Sequence, residues 1–421
     1  MVINMEKYDI IIVGGGFAGS GAALAAARGG ARVLLVERSN CLGGAPSNMA
    51  INPFMRNSTR MNETGEQVEL SRGILEEIIR DLESMNAMRK NVFNPEYLKI
   101  ILNRKMQEAG VKLLFNSFFV SCEKEGKRVK SVNVANKSGI VKLEADYFID
   151  ATGDADVAYA AGFPTRLGRQ SDNLCQPMTL CFSIAGVDPV LFEEQHYNIC
   201  KIWLEEKKKG YIKNPMDGIM VFHTVFPGIV QLNATRVIKK NPVDAWELTQ
   251  AEIEAREQAF ELHDFLVRCV PGFENSRILS TASLIGVRES RMIDGEHILT
   301  AEELMDCTRF SDSIACGNYD IDIHNPCGSG TSHYFFPEGQ YYTIPYRSLI
   351  PKDSENLLVA GRCISATHEA QASIRIMRIV CSLGEAAGTA AAIAHRDNVS
   401  VMNVDIKKLQ NTLVANGAFI G

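Results

Sequence analysis

One short glycine pattern near the N-terminus has the residue types and the spacing that bind phosphate groups. Gly14-x-Gly16-x-x-Gly19 directly follows an apolar, β-branched run. Glycine permits a tight turn and a close approach of the backbone to an anion, and the N-terminus of a following helix offers unpaired N–H groups. The pattern therefore predicts a pyrophosphate-binding turn made by Gly14, Gly16, Phe17, Ala18 and Gly19.

The elements around this turn predict how it is positioned. The run before it is typical of a buried parallel strand, and the alanine-rich segment from Ser20 to Arg28 favours a helix closed by Gly29 and Gly30. The next segment, ARVLLVE, has the pattern of a second strand and ends at Glu37, eighteen positions beyond Gly19. An acidic residue about 20 positions after such a turn accepts hydrogen bonds from adenosine ribose hydroxyls. Together these features predict a βαβ dinucleotide-binding unit.

The eighteen residues from Ile10 to Ala27 carry no charge and are long enough to cross a bilayer. Five of them are glycines, however, and the segment changes midway from β-branched residues to alanine, which favours strand, turn and helix. A second apolar run of spanning length is not evident. The leader MVINMEKYD mixes charges and lacks the pattern of a secretory signal. We therefore expect no membrane insertion and a cytoplasmic location.

The composition limits the kinds of partner and prosthetic group that we expect. The chain has 421 residues, with 44 Lys and Arg against 50 Asp and Glu, and its formal net charge is −6. Because no stretch is strongly basic, a nucleic-acid partner is not expected. The 11 cysteines include no Cys-x-x-Cys pair, which predicts free thiols in a reducing compartment and no metal site.

Three further segments resemble the FAD-binding regions of the glutathione-reductase-like flavoprotein superfamily. They are ERSNCLGGAPSN from Glu37 onward, the sequence ATGD at 151–154, and NLLVAGRCISATHEAQASIRIM near the C-terminus. With GVRESRMIDGEHILT and YDIDIH between them, nearly the whole chain is similar to bacterial FAD-dependent oxidoreductases, a family related to the flavin subunit of fumarate reductase. Those relatives commonly carry a proline at the position of Arg378.

The resemblance implies a fold, a cofactor and a set of contacts. The fold is α/β, with a Rossmann-like, glutathione-reductase-like FAD-binding domain and an inserted α+β substrate domain. A helix from about Ile374 to Ala394 is expected to aim its N-terminus at the flavin, where it stabilises the negative charge of the reduced ring. Besides the turn and Glu37, the implied FAD-binding residues are Arg38, Gly43, Gly44, Ala45, Ser47, Phe119, Val120, Ala151, Thr152, Gly153, Gly361, Arg362, Ser373 and Ile374.

The regular alternation of strands and helices is absent from the middle of the chain, which suggests that the chain is divided into three parts. We expect residues 1–168 and 347–421 to form the FAD-binding domain, and residues 169–346 to form a substrate or cap domain of mixed strands and helices. Within the cap, Ala245 to Cys269 is predicted as a long helix, with apolar Trp246, Ile253, Phe260 and Leu266 near helical spacing. Thr300 and Glu303 have the spacing of a capping box.

Hydride chemistry on a flavin needs an acid or base for the accompanying proton, and arginines bind a substrate carboxylate bidentately. The predicted catalytic residues are His324, Arg288, His368 and Arg375, and further candidates are His223, His333, Tyr334 and Arg291. Because no second Gly-x-Gly-x-x-Gly follows a strand, a separate NAD(P)H domain is not expected. Electrons would then pass to or from a second small substrate, oxygen, a quinone or a carrier protein.

These features predict an FAD-dependent oxidoreductase that transfers a hydride between a small organic substrate and flavin N5. Two alternatives remain open at this point. One is a flavin-dependent enzyme that modifies tRNA or uses folate, and the other is a non-catalytic protein that uses the FAD fold for binding.

Overall fold

The N-terminal unit of the chain has the predicted order of strand, turn and helix. The computed structural model describes residues 7–61 and 64–421, so the first six residues of the leader lie outside it. Strand β1 (Tyr8–Val13) leads into helix α1 (Phe17–Arg28), and β2 (Val33–Val36) follows in parallel with β1. The uncharged stretch at 10–27 is therefore divided between a buried strand, a turn and a buried helix, as predicted.

The remaining elements follow in three groups along the chain. The first group is α2 (Ala45–Asn48), β3 (Ser58–Arg60), β4 (Gln67–Glu69), α3 (Ile74–Ser84), β5 (Met88–Arg89), β6 (Val92–Phe93), α4 (Pro95–Glu108), β7 (Lys112–Leu114), β8 (Phe118–Glu125), β9 (Arg128–Asn136), β10 (Gly139–Asp150), α5 (Asp156–Ala160) and β11 (Thr165–Leu167). The second is β12 (Phe182–Ala185), α6 (Pro189–Gln195), α7 (Ile199–Lys208), β13 (Val221–His223), β14 (Ile229–Leu232), α8 (Ala245–Cys269), β15 (Arg277–Thr281), β16 (Arg291–Ile293), α9 (Ala301–Met305), β17 (Ser313–Gly317), β18 (Ile321–His324), β19 (Thr331–Tyr334) and β20 (Tyr342–Pro345). The third is β21 (Leu357–Val359), α10 (His368–Ile374), α11 (Met377–Asp397) and α12 (Ile406–Ala415), with short 3-10 helices at Tyr346–Leu349 and Val401–Asn403.

A parallel sheet in the order β7-β2-β1-β10-β21 forms the centre of the molecule. Strands β2 and β21 are apolar and fully buried, as expected of parallel strands that are covered on both faces. The first half of β10 pairs with β9 in an antiparallel three-stranded extension that also includes β8. The carboxyl ends of β1 and β10 therefore lie side by side, with Val13 opposite Asp150.

The middle of the chain contains an antiparallel sheet in the order β13-β14-β12-β15. Its core, which includes Phe182, Trp203 and Phe265, is distinct from the core of the parallel sheet. Ile314 and Ile321, which also precede residue 346, pack instead in the core of the parallel sheet. The domain boundaries at residues 168 and 346 stay predictions.

Helix α8 begins and ends at the predicted residues, but three of the four apolar residues at helical spacing lie outside its buried face. Trp246, Ile253 and Phe260 are 81%, 61% and 64% exposed, and only Leu266 of the four predicted residues is buried. The buried face is formed mainly by small residues and by the C-terminal part of the helix, namely Ala251, Ala255, Ala259, Leu262, Phe265 and Leu266. Small side chains allow the helix to approach the core closely, which the spacing of the large residues did not reveal.

Helices α1 and α11 pack against each other at very short range. A Cβ atom on Gly384 would lie 2.0 Å from the carbonyl oxygen of Ala18, and one on Gly388 would lie 2.1 Å from that of Ala22. Helix α11 is long and apolar enough to meet the length criterion for a membrane span, contrary to the expectation of no second such run, but 94% of its most apolar window is buried in the protein. That burial is typical of a core helix.

Candidate functional site

The turn between β1 and α1 combines close packing with one open position. Gly14 has φ of +104°, and a Cβ atom there would lie 2.3 Å from the carbonyl oxygen of Ala151. A Cβ atom on Gly19 would lie 1.7 Å from the carbonyl oxygen of Gly14. At Gly16 the nearest atom to such a Cβ would be 3.9 Å away, so this glycine leaves free space at the start of α1. That free space beside a helix N-terminus fits a pyrophosphate.

Glu37 is fixed at the end of β2 by the backbone. One carboxylate oxygen accepts the N–H of Gly15 at 2.6 Å, and the other accepts the N–H of Ser39 at 2.7 Å. The side chain is buried yet lies at the wall of a cavity. Because each carboxylate oxygen can accept a second hydrogen bond, the group remains able to bind ribose hydroxyls.

The second glycine pair packs directly on the first turn. Gly43 donates its N–H to the carbonyl oxygen of Gly15 at 2.9 Å, and a Cβ atom on Gly44 would lie 2.8 Å from Cα of Gly16. Gly44 also has φ of +63°, which favours glycine. The two segments therefore form one backbone cradle for an extended ligand.

A cavity of about 910 Å³ runs from this cradle along the ends of β1 and β10 into the middle of the chain. Most of the predicted FAD-binding residues line it, namely Gly14, Gly16, Phe17, Ala18, Glu37, Arg38, Gly43, Gly44, Ala45, Phe119, Ala151, Thr152, Gly153, Gly361 and Arg362. Five predicted residues do not: Gly19 serves helix packing, Ser47 lies behind Gly43, Val120 is half exposed, and Ser373 and Ile374 are buried within α10.

Arg362 is anchored by its own carboxylate at the wall of this cavity. Its guanidinium donates to Asp154 at 2.7 Å, and the hydroxyl of Ser290 donates to the same oxygen at 2.6 Å. Burial raises the pKa of Asp154, but the charge of Arg362, the hydrogen bond from Ser290 and the charge of Arg38 together lower it below its ordinary value. The guanidinium of Arg362 is thus fixed at the cavity wall, and Asp154 neutralises its charge.

The helix predicted from Ile374 is interrupted in the structure. Helix α10 ends at Ile374, Ile376 is extended with φ of −70° and ψ of 149°, and α11 begins at Met377. Arg375, Ile376 and Met377 line the cavity. The first N–H groups of a helix have no helical partner, so α11 presents a partial positive charge there. Arg378, where a proline would also fit the first turn, pairs with Glu69 at 2.7 Å.

Arg288 and Arg375 lie together at the other end of the cavity. Arg288 donates to the carbonyl oxygen of Pro177 at 2.6 Å, and Arg375 lies 3.4 Å from a carboxylate oxygen of Asp322. Burial, followed by the positive charge of Arg375, lowers the pKa of Arg288 to about 10. The two predicted arginines are therefore close enough to repel each other.

His324 and Asp322 point to the same side of β18 because they are two residues apart on one strand. One oxygen of Asp322 lies 3.3 Å from Nε2 of His324 and accepts the hydroxyl of Tyr319 at 3.2 Å. Burial raises the pKa of Asp322, but the hydrogen bond from His324 and the charges of Arg375 and Arg288 lower it well below its usual range. Burial and the charge of Arg288 lower the pKa of His324 to about 3, so its ring is neutral at pH 7.

His368 does not reach this cluster. Its Nδ1 pairs at 2.8 Å with a carboxylate oxygen of buried Glu289, whose other oxygen accepts the N–H of Gln176. His368 is buried and is absent from the residues that line the cavity. The predicted catalytic role of His368 has no support in this position.

The other candidates have separate positions. His333 lies at the cavity wall with Nδ1 2.5 Å from Asp320, whereas His223 stacks on His196 and Arg291 pairs with Asp156. Tyr334 is partly exposed and packs against Phe336. Of these, only His333 lines the cavity among the described residues.

Two groups of side chains have the spacing of metal ligands, although the sequence predicted no metal site. Asp320, Asp322 and His333 bring possible ligand atoms within 4.8 Å of one another at the cavity wall, and Asp9, Asp146 and His395 do so elsewhere. The guanidinium of Arg375 beside Asp322 opposes a cation at the first group. The absence of a metal stays a prediction.

Sequence reasoning missed three polar residues of the substrate end, Asp322, Tyr319 and Arg236. The signal for Asp322 was present in YDIDIH, because alternation along a strand places it beside His324. Tyr319 is the first residue of the same segment, but it lies before the strand, where alternation does not predict a direction. Arg236 comes from a distant part of the chain, and no local pattern marks it.

The glycine cradle, the ribose-binding acid and the parallel sheet define a dinucleotide-binding flavoprotein of the α/β class. Residues 9–413 match the model of the family described as FAD dependent oxidoreductase, and the chain belongs to this family. The protein is thus an FAD-dependent oxidoreductase, and the open backbone at Gly16 fits FAD as its cofactor.

The sequence identity between this chain and individual proteins is low. Protein FixC of Azotobacter vinelandii is 28% identical over 177 residues, which are 38% of this chain and 40% of the length of that relative. A geranylgeranyl bacteriochlorophyll reductase-like protein from Thermoplasma acidophilum aligns over 99% of this chain and 85% of its own, with 14% identity and a TM-score of 0.49. The p-nitrophenol 4-monooxygenase PnpA from Pseudomonas putida aligns over 99% and 90%, with 12% identity and a TM-score of 0.47.

Proposed function

We propose that this oxidoreductase transfers a hydride between a small organic substrate and N5 of its FAD, without a nicotinamide-binding domain of its own. The observation that carries the proposal is the single cavity that joins the FAD cradle to Arg288, His324 and Arg375. When bound, FAD supplies the two-electron chemistry, and the chain supplies binding, orientation and proton handling.

The polar cluster has a separate task for each side chain. Arg288 and Arg375 orient the substrate at the wall next to the first turn of α11. His324 is held from both sides, by Asp322 at Nε2 and by the hydroxyl of Thr331 at Nδ1. Because the ring is neutral at pH 7, His324 positions Asp322 in the resting protein, while the hydroxyl of Tyr319 is the group best placed to exchange a proton there.

For the electron partner and the location of the protein, we keep the expectations that the sequence suggested. The electron partner is a second small molecule, oxygen, a quinone or a carrier protein, and we expect a cytoplasmic location with no nucleic-acid partner. The long, buried helix α11 adds no support for membrane insertion.

A visible spectrum of the purified protein, before and after addition of FAD, tests the first part of the proposal. Flavin bands followed by anaerobic bleaching with one member of a panel of hydroxy acids, amines, sugars and sterols are the expected result. A flavin that no organic substrate reduces or reoxidises overturns hydride transfer. Salt-dependent tRNA binding, or folate-dependent turnover, would replace this function with the modifying alternative, and a protein that never binds FAD would be a binding protein only.

A further inference from the structure

The arginines of the cavity differ in how well the protein neutralises them. Arg362 has a carboxylate of its own, Asp154, at 2.7 Å. Arg236 donates to three carbonyl oxygens of the loop between β18 and β19, those of Asn325, Gly328 and Gly330, at 2.9 to 3.0 Å. The guanidinium of Arg236 is therefore already engaged by the protein. That of Arg362 has a carboxylate partner, although its Nε is buried without a hydrogen-bond partner among the described residues.

Arg288 and Arg375 are less well paired. The guanidinium of Arg288 makes one hydrogen bond within the described part of the chain, to the neutral carbonyl of Pro177. Arg375 lies 3.4 Å from the backbone and carboxylate oxygens of Asp322, whereas a charge-assisted hydrogen bond is ordinarily about 2.7–2.9 Å long. The Nε atom of Arg375 is buried and has no hydrogen-bond partner among the described residues. Guanidinium donors thus remain available at this wall.

Arg288 and Arg375 share one carboxylate. The carboxylates that line this end of the cavity are Asp217, Asp320 and Asp322. Asp217 acts on Arg236, and Asp320 is held by His333 at 2.5 Å, which leaves Asp322 for Arg288 and Arg375. One oxygen of Asp322 already interacts with Tyr319 and His324, and the other has no hydrogen-bond partner among the described residues. Two partly buried guanidiniums beside one carboxylate carry a positive charge that is costly to bury unless an anion joins it.

We propose that Arg288 and Arg375 together bind one carboxylate group of the substrate, so that the enzyme acts on small carboxylic acids. The inference rests on the proposed function only in assigning this end of the cavity to the substrate. A carboxylate offers two coplanar oxygens, which match the fork of a guanidinium better than any neutral group does. One such group would give these two arginines a second anionic partner beside Asp322.

A binding titration tests this directly on the FAD-loaded protein. Acetate and propionate are added, and the change in the visible flavin spectrum gives their Kd; acetamide and propionamide, of the same shape but without charge, serve as matched ligands. We expect the carboxylates to bind at least tenfold more tightly than the amides. The variants Arg288→Lys and Arg375→Lys should each weaken carboxylate binding at least tenfold, since lysine lacks the planar fork. Arg268→Lys, on the surface of α8 and paired with Asp264, is the control and should change nothing.

Each other outcome has a defined meaning. Equal affinity for acids and amides, or unchanged affinity in both arginine variants, overturns the carboxylate site. The arginine variants could instead lose FAD and keep a normal carboxylate affinity per bound flavin. The arginines would then bind the edge of the flavin, and the proposal would be wrong. Arginine-dependent carboxylate binding without any flavin reduction would leave the anion site standing and refute hydride transfer, so the two failures can be told apart. Circular dichroism and thermal unfolding confirm that the variants are folded.

Discussion

Buried Glu385 on α11 leads to a quantitative prediction about stability and pH. One of its carboxylate oxygens accepts the backbone N–H of Ile74 at 3.1 Å. Burial outweighs this hydrogen bond and raises the pKa of Glu385 from 4.5 to about 7. Between those two pH values the folded protein keeps a proton that the unfolded chain has released. The stabilisation by Glu385 is therefore fully present below pH 4.5 and is lost as the pH rises through 7.

The variant Glu385→Gln keeps a neutral side chain at every pH. A pKa difference of about 2.5, at about 1.36 kcal/mol per unit, predicts that the variant is more stable than wild type by about 3 kcal/mol at pH 8 and by less than about 1 kcal/mol at pH 5. An unfolding entropy of about 2.1 cal/mol/K per residue over 421 residues converts 3 kcal/mol into about 3 °C of Tm.

Calorimetry of the FAD-saturated proteins between pH 5 and pH 8 measures this difference. Glu76→Gln, at an exposed position of α3, is the matched control and should leave Tm unchanged at both ends of the range. A Tm gain that is the same at pH 5 and pH 8 would mean that Glu385 does not titrate in this range. A loss of Tm at pH 8 would mean that the ionised carboxylate stabilises α3 through Ile74, and the reasoning from burial would be refuted.

Three further substitutions separate cofactor binding from packing. Gly16→Ala places a methyl group in free space, so the apoprotein should unfold at the wild-type temperature. The Kd for FAD, measured by flavin fluorescence, should rise at least tenfold. An unchanged Kd would mean that the pyrophosphate does not bind at Gly16. Gly384→Ala forces α1 and α11 apart and should cost about 1–3 kcal/mol or more, seen as a lower Tm of the apoprotein; an unchanged Tm would contradict the close helix contact. Glu37→Gln turns an amide donor toward the N–H of Gly15 or Ser39, and FAD binding should weaken by about 1–3 kcal/mol. Equal affinity would exclude Glu37 from ribose binding.

The cofactor end could be predicted from the sequence because its determinants are local. The turn at Gly14 to Gly19 needs glycine for reasons that involve only the adjoining strand, the helix and the end of β10. Glu37 lies at the end of the next strand, where spacing alone places it near the turn. The hairpins of β8, β9 and β10 follow from alternating residues and turn residues in the same way.

The packing of α8 could not be predicted in this way, because the helix carries two stripes at helical spacing. One has large apolar residues, Trp246, Ile253 and Phe260, and the other has small ones, Ala251, Ala255 and Ala259. Hydrophobicity favours burial of the first stripe. The structure buries the second, and which stripe faces the core depends on segments that are far away in sequence.

The break between α10 and α11 could not be predicted from the sequence either, because Arg375 and Ile376 are not glycine, proline or capping residues. Its effect nevertheless links the two ends of the site. Had the helix run on through these residues, Arg375 would lie within a helix and the first N–H groups of α11 would be bonded to the preceding turn. Because the chain is extended at Ile376, both the side chain of Arg375 and the N-terminus of α11 reach the cavity. The same two residues therefore place a positive helix end and a poorly paired guanidinium together at the cavity wall. A substitution that straightens this segment should weaken FAD and carboxylate binding together, whereas Arg288→Lys affects the carboxylate alone.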